Sequence, residues 1–141
     1  LTLCILYVFH LIALHMMILF NGLFPLMGSW ATGIHGIVCL EAAILILVWL
    51  TWGTFRRSRW AWWVGLAYFG LMTASWLASL LGTSWSELLA TMNLPPYEVG
   101  FLESFPAEPW HLAVLFGIPL VVTLGFLLRA RRFFGGTEKI G

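Results

Sequence analysis

Long apolar runs separated by more polar stretches organise this chain: residues 1–20, 34–52, 60–81 and 110–128. Each is close to the roughly 20 residues that cross a hydrocarbon layer about 30 Å thick. Barrel strands would be about half as long and would alternate polar with apolar positions, which these runs do not. Lipid offers no water to peptide groups, so spans of this length are expected as helices. The pattern predicts an all-α integral membrane protein, a single domain over residues 1–141 with four transmembrane helices.

The stretch between the third and fourth runs, residues 82–109, is long for a helical hairpin. It opens with Ser84-Trp85-Ser86-Glu87, in which Ser84 and Glu87 can satisfy each other's free amides as a capping box. Trp85, Leu88, Leu89 and Met92 follow at the spacing of one helix face. Pro95 and Pro96 end that pattern. The spacing predicts a short interfacial helix over 85–93 and an irregular cover over 94–109. Pro109 suits the first turn of the fourth span.

Composition closes off the alternatives. Hydrophobic residues make up 61%, charged residues 9%, and the mean hydropathy is +0.94. A soluble domain carries about 25% charged residues. The chain has no basic run suited to nucleic acid, so its expected partners are the lipid bilayer and other membrane-embedded chains.

Charge placement orients the bundle. The 7 basic residues fall in two places: Arg56, Arg57 and Arg59 after the second span, and Arg129, Arg131, Arg132 and Lys139 after the fourth. The positive-inside rule makes both segments cytoplasmic, with both termini inside, as in a bacterial-type cytoplasmic membrane. Tryptophans agree: Trp49, Trp52, Trp60, Trp62 and Trp63 gather at the inner end, and Trp30, Trp85 and Trp110 at the outer end, as interfacial belts do. Within the third span Gly70, Ala74, Ala78 and Gly82 recur every four residues. Such a ridge lets backbones approach closely in lipid, and it is the expected contact with another subunit or a second copy.

Polar groups inside the bilayer are rare and point to function. At 1.5 Å per residue, His15 lies about 8 Å and Glu41 about 10 Å below the outer surface, in the layer of Ser75 and Trp76. A ligand-binding set of Glu41, His15, His10, Ser75 and Trp76 is therefore expected, with Glu41 and His15 as the catalytic candidates if the chain is an enzyme. His10 and His15 diverge by about 140° around a helix and do not chelate as a pair. A metal site would have to draw His35, His111 and Glu108 together from separate segments. The residues assign no cofactor: a single axial histidine to haem or chlorophyll stays open, but no second histidine lies at the depth of His10. Gly117 and Pro119 place a kink in the fourth span at the Glu41 layer.

No HExxH, GxSxG, CxxC or Walker pattern occurs. The leading expectation is a small non-catalytic accessory or structural subunit of a larger energy-transducing or biosynthetic membrane complex, with a part in holding a lipid, quinone or pigment. The alternative is a small membrane enzyme or proton- or ligand-handling protein with a buried Glu/His site in the outer half of the bilayer. The orientation is testable. In a background lacking Cys4 and Cys39, cysteines at positions 58 and 104 (Ser58→Cys, Ser104→Cys) should react with an impermeant thiol reagent from opposite sides of the membrane. Labelling of both from one side would overturn it.

Overall fold

The structure, a computed structural model, describes residues 1–104 and 109–134. It is helical with a small hairpin. In chain order the elements are α1 (Thr2–Leu19), β1 (Phe24–Leu26), β2 (Ser29–Ala31), α2 (Gly33–Phe55), α3 (Arg59–Leu81), α4 (Trp85–Met92), α5 (Pro96–Glu103) and α6 (Pro109–Arg129), followed by a 3-10 turn at Ala130–Phe133. Helices α1, α2 and α3 are each long and apolar enough to cross a membrane. The run at 110–128 forms α6, of 21 residues.

The helices turn apolar side chains outward as well as inward. Ile12, Leu45, Leu71 and Val121 are all more than half exposed, and Ile34 is 79% exposed. An aqueous surface does not carry apolar side chains on every helix, whereas a lipid-facing one does. Inside, α3 packs against α6 and α1 against α2. Tyr7, Leu47, Phe69 and Leu127 are fully buried between them, with the Tyr7 ring stacked on Phe69 at 5.6 Å. The Trp62 indole N–H donates to the Leu127 carbonyl at 2.7 Å, and Arg131 lies 5.8 Å from the same ring. Trp62 thus fastens α3 to α6 from a buried position, while Trp49, Trp52, Trp60 and Trp63 are exposed.

The segment between α1 and α2 is more ordered than a plain outer loop. Phe24 pairs with Ala31, Pro25 with Trp30 and Leu26 with Ser29 in an antiparallel hairpin. Its two turn residues, Met27 and Gly28, have φ of 43° and 101°. Positive φ at both positions gives the turn the hand that matches strand twist. The strands are only three residues long, too short for an alternating pattern to stand out, and Pro25 argues locally against a strand.

What holds the hairpin is a polar stripe on α3. Ser75 Oγ accepts from the Met27 amide at 2.9 Å and donates to the Pro25 carbonyl at 2.8 Å. One turn on, Ser79 Oγ accepts from the Gly28 amide at 3.2 Å and donates to the Ser29 carbonyl at 2.8 Å. A further turn on, Thr83 Oγ1 accepts from the Trp30 indole at 2.9 Å and donates to the Ser79 carbonyl at 2.7 Å. Residues four apart share a helix face, so Ser75, Ser79 and Thr83 form one column. At the base of the hairpin the Gly33 amide donates to the Asn21 carbonyl at 2.7 Å. Gly36 is obligatory beside it, because a β-carbon there would collide with the carbonyl oxygens of Gly22 and Ala31.

The small-residue ridge does not form a seam within the chain. Ala74 is exposed, and a β-carbon at Gly70 would meet nothing within 4 Å. At its outer end, such a carbon at Gly82 would lie 3.6 Å from the Gly28 carbonyl oxygen. The hairpin, not a helix, covers that end of α3.

Helix α4 begins as its sequence predicts. Glu87 N–H donates to Ser84 Oγ at 3.3 Å, and Ser84 N–H donates to Glu87 Oε2 at 2.8 Å. The Ser84 backbone N–H, joined by its hydroxyl, holds the Glu87 carboxyl below its ordinary pKa. Its inner face buries Leu88 and Leu89, and Asn21 Nδ2 donates to the Thr91 carbonyl at 3.2 Å, tying α4 to the end of α1. Asn93 ends the helix with φ 52°, a left-handed conformation that asparagine tolerates. The expected irregular cover is corrected in part: Pro96–Glu103 is α5. Pro96 occupies the first turn, where its missing N–H has no intrahelical partner to lose, and Glu98 lies in the same turn.

Ser75→Ala removes the acceptor of one hairpin amide and the donor to one hairpin carbonyl. Each stranded group costs about 1–3 kcal/mol, so the thermal midpoint of unfolding in a fixed detergent should fall by several degrees. An unchanged midpoint would show that the hairpin is held by other means.

Candidate ligand cavity

Near the middle of α1, His10 turns inward and is only 8% exposed. Its Nδ1 lies 2.7 Å from the Leu6 carbonyl oxygen. A carbonyl only accepts, so Nδ1 carries the proton, and a neutral ring then presents a bare lone pair at Nε2. The ring is fixed in orientation by an edge-to-face contact with Phe69 at 5.0 Å. Nε2 is buried and has no partner among the described residues. A buried polar atom without a partner costs about 1–3 kcal/mol, which makes it an exception that needs a reason.

An apolar cavity lies beside the ring. His10 lines a cavity of about 280 Å³. Phe9 and Met17 of α1, Phe24 of the hairpin, Leu40 of α2, Tyr68 and Trp76 of α3, and Phe116 of α6 complete its walls. Trp76 is buried to the same degree as His10, and its indole N–H also has no partner among the described residues. Its ring is held edge-on by Trp30 at 5.3 Å and against Phe116 at 5.0 Å. Phe9, also in the lining, is 53% exposed, so the chamber reaches the outer face of the bundle at α1. Pro119 also lines it. The helix continues through that proline, and Thr123 Oγ1 donates to the Pro119 carbonyl at 2.8 Å.

Of the residues expected to share a site, the structure brings together His10 and Trp76. Ser75 is buried but both its bonds are taken by the hairpin. His15 bonds the Leu11 carbonyl at 2.7 Å, as His10 bonds Leu6, but it is exposed on the outer face of α1. Glu41 is exposed on α2. A common depth therefore does not become a common pocket: depth follows from position along a helix, but facing requires the right rotation about its axis as well. His10 and His15 show this on one helix, one inside and one outside.

The metal candidates do not assemble either. No group of three or more His, Cys, Asp or Glu suited to a metal ion exists among the described residues. His35 is exposed at the start of α2, and His111 is stacked on Trp110 with ring centroids 3.8 Å apart. Glu108 lies outside the described residues. What the sequence reading missed is the role of the hairpin, which supplies Leu23, Phe24 and Pro25 to the cavity wall. The available signal was Ser75, Ser79 and Thr83 at four-residue spacing, a polar column with nothing else to bind.

No protein-family model, characterised protein or solved structure matches this chain. The cavity itself is testable through packing. Ala13 lines it, so Ala13→Leu should fill existing space and change stability by less than about 1.5 kcal/mol, measured as the unfolding midpoint. A loss of several kcal/mol would mean that the space is not there to fill.

Proposed function

We propose that this chain is a small accessory subunit of a larger membrane assembly, without a reaction centre of its own, and that it holds a lipid-soluble molecule in its bundle. The observation that carries the reading is the outward position of Glu41. A carboxyl group facing hydrocarbon is costly, by about 2.5–3.5 kcal/mol on insertion scales when it lies near the helix centre. Among the described residues no hydrogen bond or ion pair to Glu41 offsets that cost, and His15, exposed on α1 with the Leu11 carbonyl of its own helix as partner, also faces outward. Neighbouring chains resolve it: interhelical hydrogen bonds in lipid join polar side chains across subunit boundaries. The Gly70–Ala74–Ala78 ridge, exposed at Ala74 and half-buried at the other two, offers such a neighbour a smooth surface for close approach.

In this reading α6 is the fourth span. Its 21 residues reach about 31 Å at 1.5 Å per residue, and the arginines that follow it match those at the α2–α3 turn, placing both termini in the cytoplasm of a bacterial-type membrane. Helix α4, capped and half-buried, lies along the outer interface with α5 beyond it. The alternative of an enzyme built on Glu41 and His15 is not favoured, since both point away from the cavity and from Ser75.

A native mass spectrum of the protein released gently from its own membrane should show it within a larger assembly, and Glu41→Ala should release it from that assembly. Recovery of a lone 15.9 kDa chain under several mild conditions would overturn the subunit reading.

A further inference from the structure

We propose that the outward face of α1 and α2 is the contact with a second copy of this chain, in a two-fold dimer whose axis runs along the membrane normal, with His15 of each copy bonded to Glu41 of the other. This deepens the assembly reading above: it takes the orientation of the spans from that reading and names the neighbour that covers the two outward polar groups.

An open apolar groove lies between the two helices on this side, lined by Cys4 and Leu11 of α1 and by Val48, Thr51, Trp52 and Phe55 of α2. Thr51 spends its hydroxyl proton on the Leu47 carbonyl of its own helix, at 2.8 Å. His15 is one turn past Leu11 on the same face of α1, and Glu41 is two turns before Val48 on the same face of α2. The helices run in opposite directions across the membrane, so both steps lead toward the outer surface. The two polar groups, both exposed, therefore flank the outer continuation of the groove.

Their chemistry is complementary and their depth is shared. His15 Nδ1 lies 2.7 Å from the Leu11 carbonyl oxygen, so that nitrogen carries the proton and Nε2 is left to accept. The O–H of a carboxyl group is a donor for it; with the proton moved across, the same two atoms join as carboxylate and imidazolium. A two-fold axis along the membrane normal presents the same face from both sides of the contact and keeps every residue at its own depth. Such a face pairs its polar groups with each other only when donor and acceptor lie at one depth. His15 at about 8 Å and Glu41 at about 10 Å below the outer surface meet that condition, and the bond formed on one side of the axis repeats on the other. The inward arginines give every copy one orientation, which excludes head-to-tail pairings. The Gly70–Ala74–Ala78 ridge belongs to α3 and stays available to other chains.

The test uses the purified chain in phosphatidylcholine vesicles, with donor or acceptor dyes on a C-terminal tag and energy transfer read as the lipid-to-protein ratio is raised. The unsubstituted chain should dimerise. His15→Ala and Glu41→Ala should each weaken the dimer about tenfold, since each deletes both symmetry-related bonds. A mixture of the two variants should pair better than either alone, because the mixed dimer keeps one intact His15–Glu41 bond and each pure dimer keeps none. A role of the two residues within one chain gives no gain on mixing. As a check that does not need the alanine variants to fold, His15→Cys copies mixed with Glu41→Cys copies, both lacking Cys4 and Cys39, should form a disulfide-linked dimer of one of each. A monomeric unsubstituted chain, no gain on mixing, or no mixed disulfide overturns the proposal. A single copy within a larger native assembly overturns the dimer and leaves the assembly reading standing, whereas a dimer with no other chain attached does the reverse.

Discussion

The fold depends on satisfying the backbone of a hairpin that lies against an apolar bundle. A two-stranded ribbon leaves an unpaired edge on each side, and where that edge is buried against the bundle each free amide or carbonyl carries its full desolvation cost. Ser75, Ser79 and Thr83 answer this as a column on α3: each of the two serines bridges an amide and a carbonyl of the hairpin, and Thr83 takes the Trp30 indole. A helix with alanine or leucine at those positions could pack against the hairpin but could not dock it. Pro25 helps in a different way, since a residue without an N–H leaves one donor fewer to satisfy.

The cavity is a consequence of that docking. With the hairpin held against α3, Leu23, Phe24 and Pro25 close one side of the space between α1, α3 and α6. The same arrangement puts Trp30 edge-on to Trp76, fixing the indole that forms another wall. His10 is held separately, by its own helix and by Phe69. Two side chains of the wall are thus held in orientation by their ring contacts.

The outer surface makes a second demand. Most lipid-facing positions are satisfied by being apolar, but Glu41 and His15 are not. On the assembly reading proposed above, a neighbouring membrane-embedded chain covers this outer pair.

How far the sequence reaches can be read from particular residues. The apolar runs, the basic segments and the Ser84–Glu87 cap are local properties: helix length, inner charge and first-turn bonding depend on residues a few positions apart, and α1, α2, α3 and α4 formed where those patterns lay. The hairpin was not legible, because its strands are three residues long and its stability comes from α3, some fifty residues away in the chain. Nor was the site. Hydropathy gives depth along a span, so His10, His15, Glu41, Ser75 and Trp76 could be ranked by depth, but not by direction. Direction depends on how each helix rotates when it packs. Only the packed bundle turned His10 and Trp76 toward one chamber, spent Ser75 on the hairpin, and left Glu41 and His15 facing out.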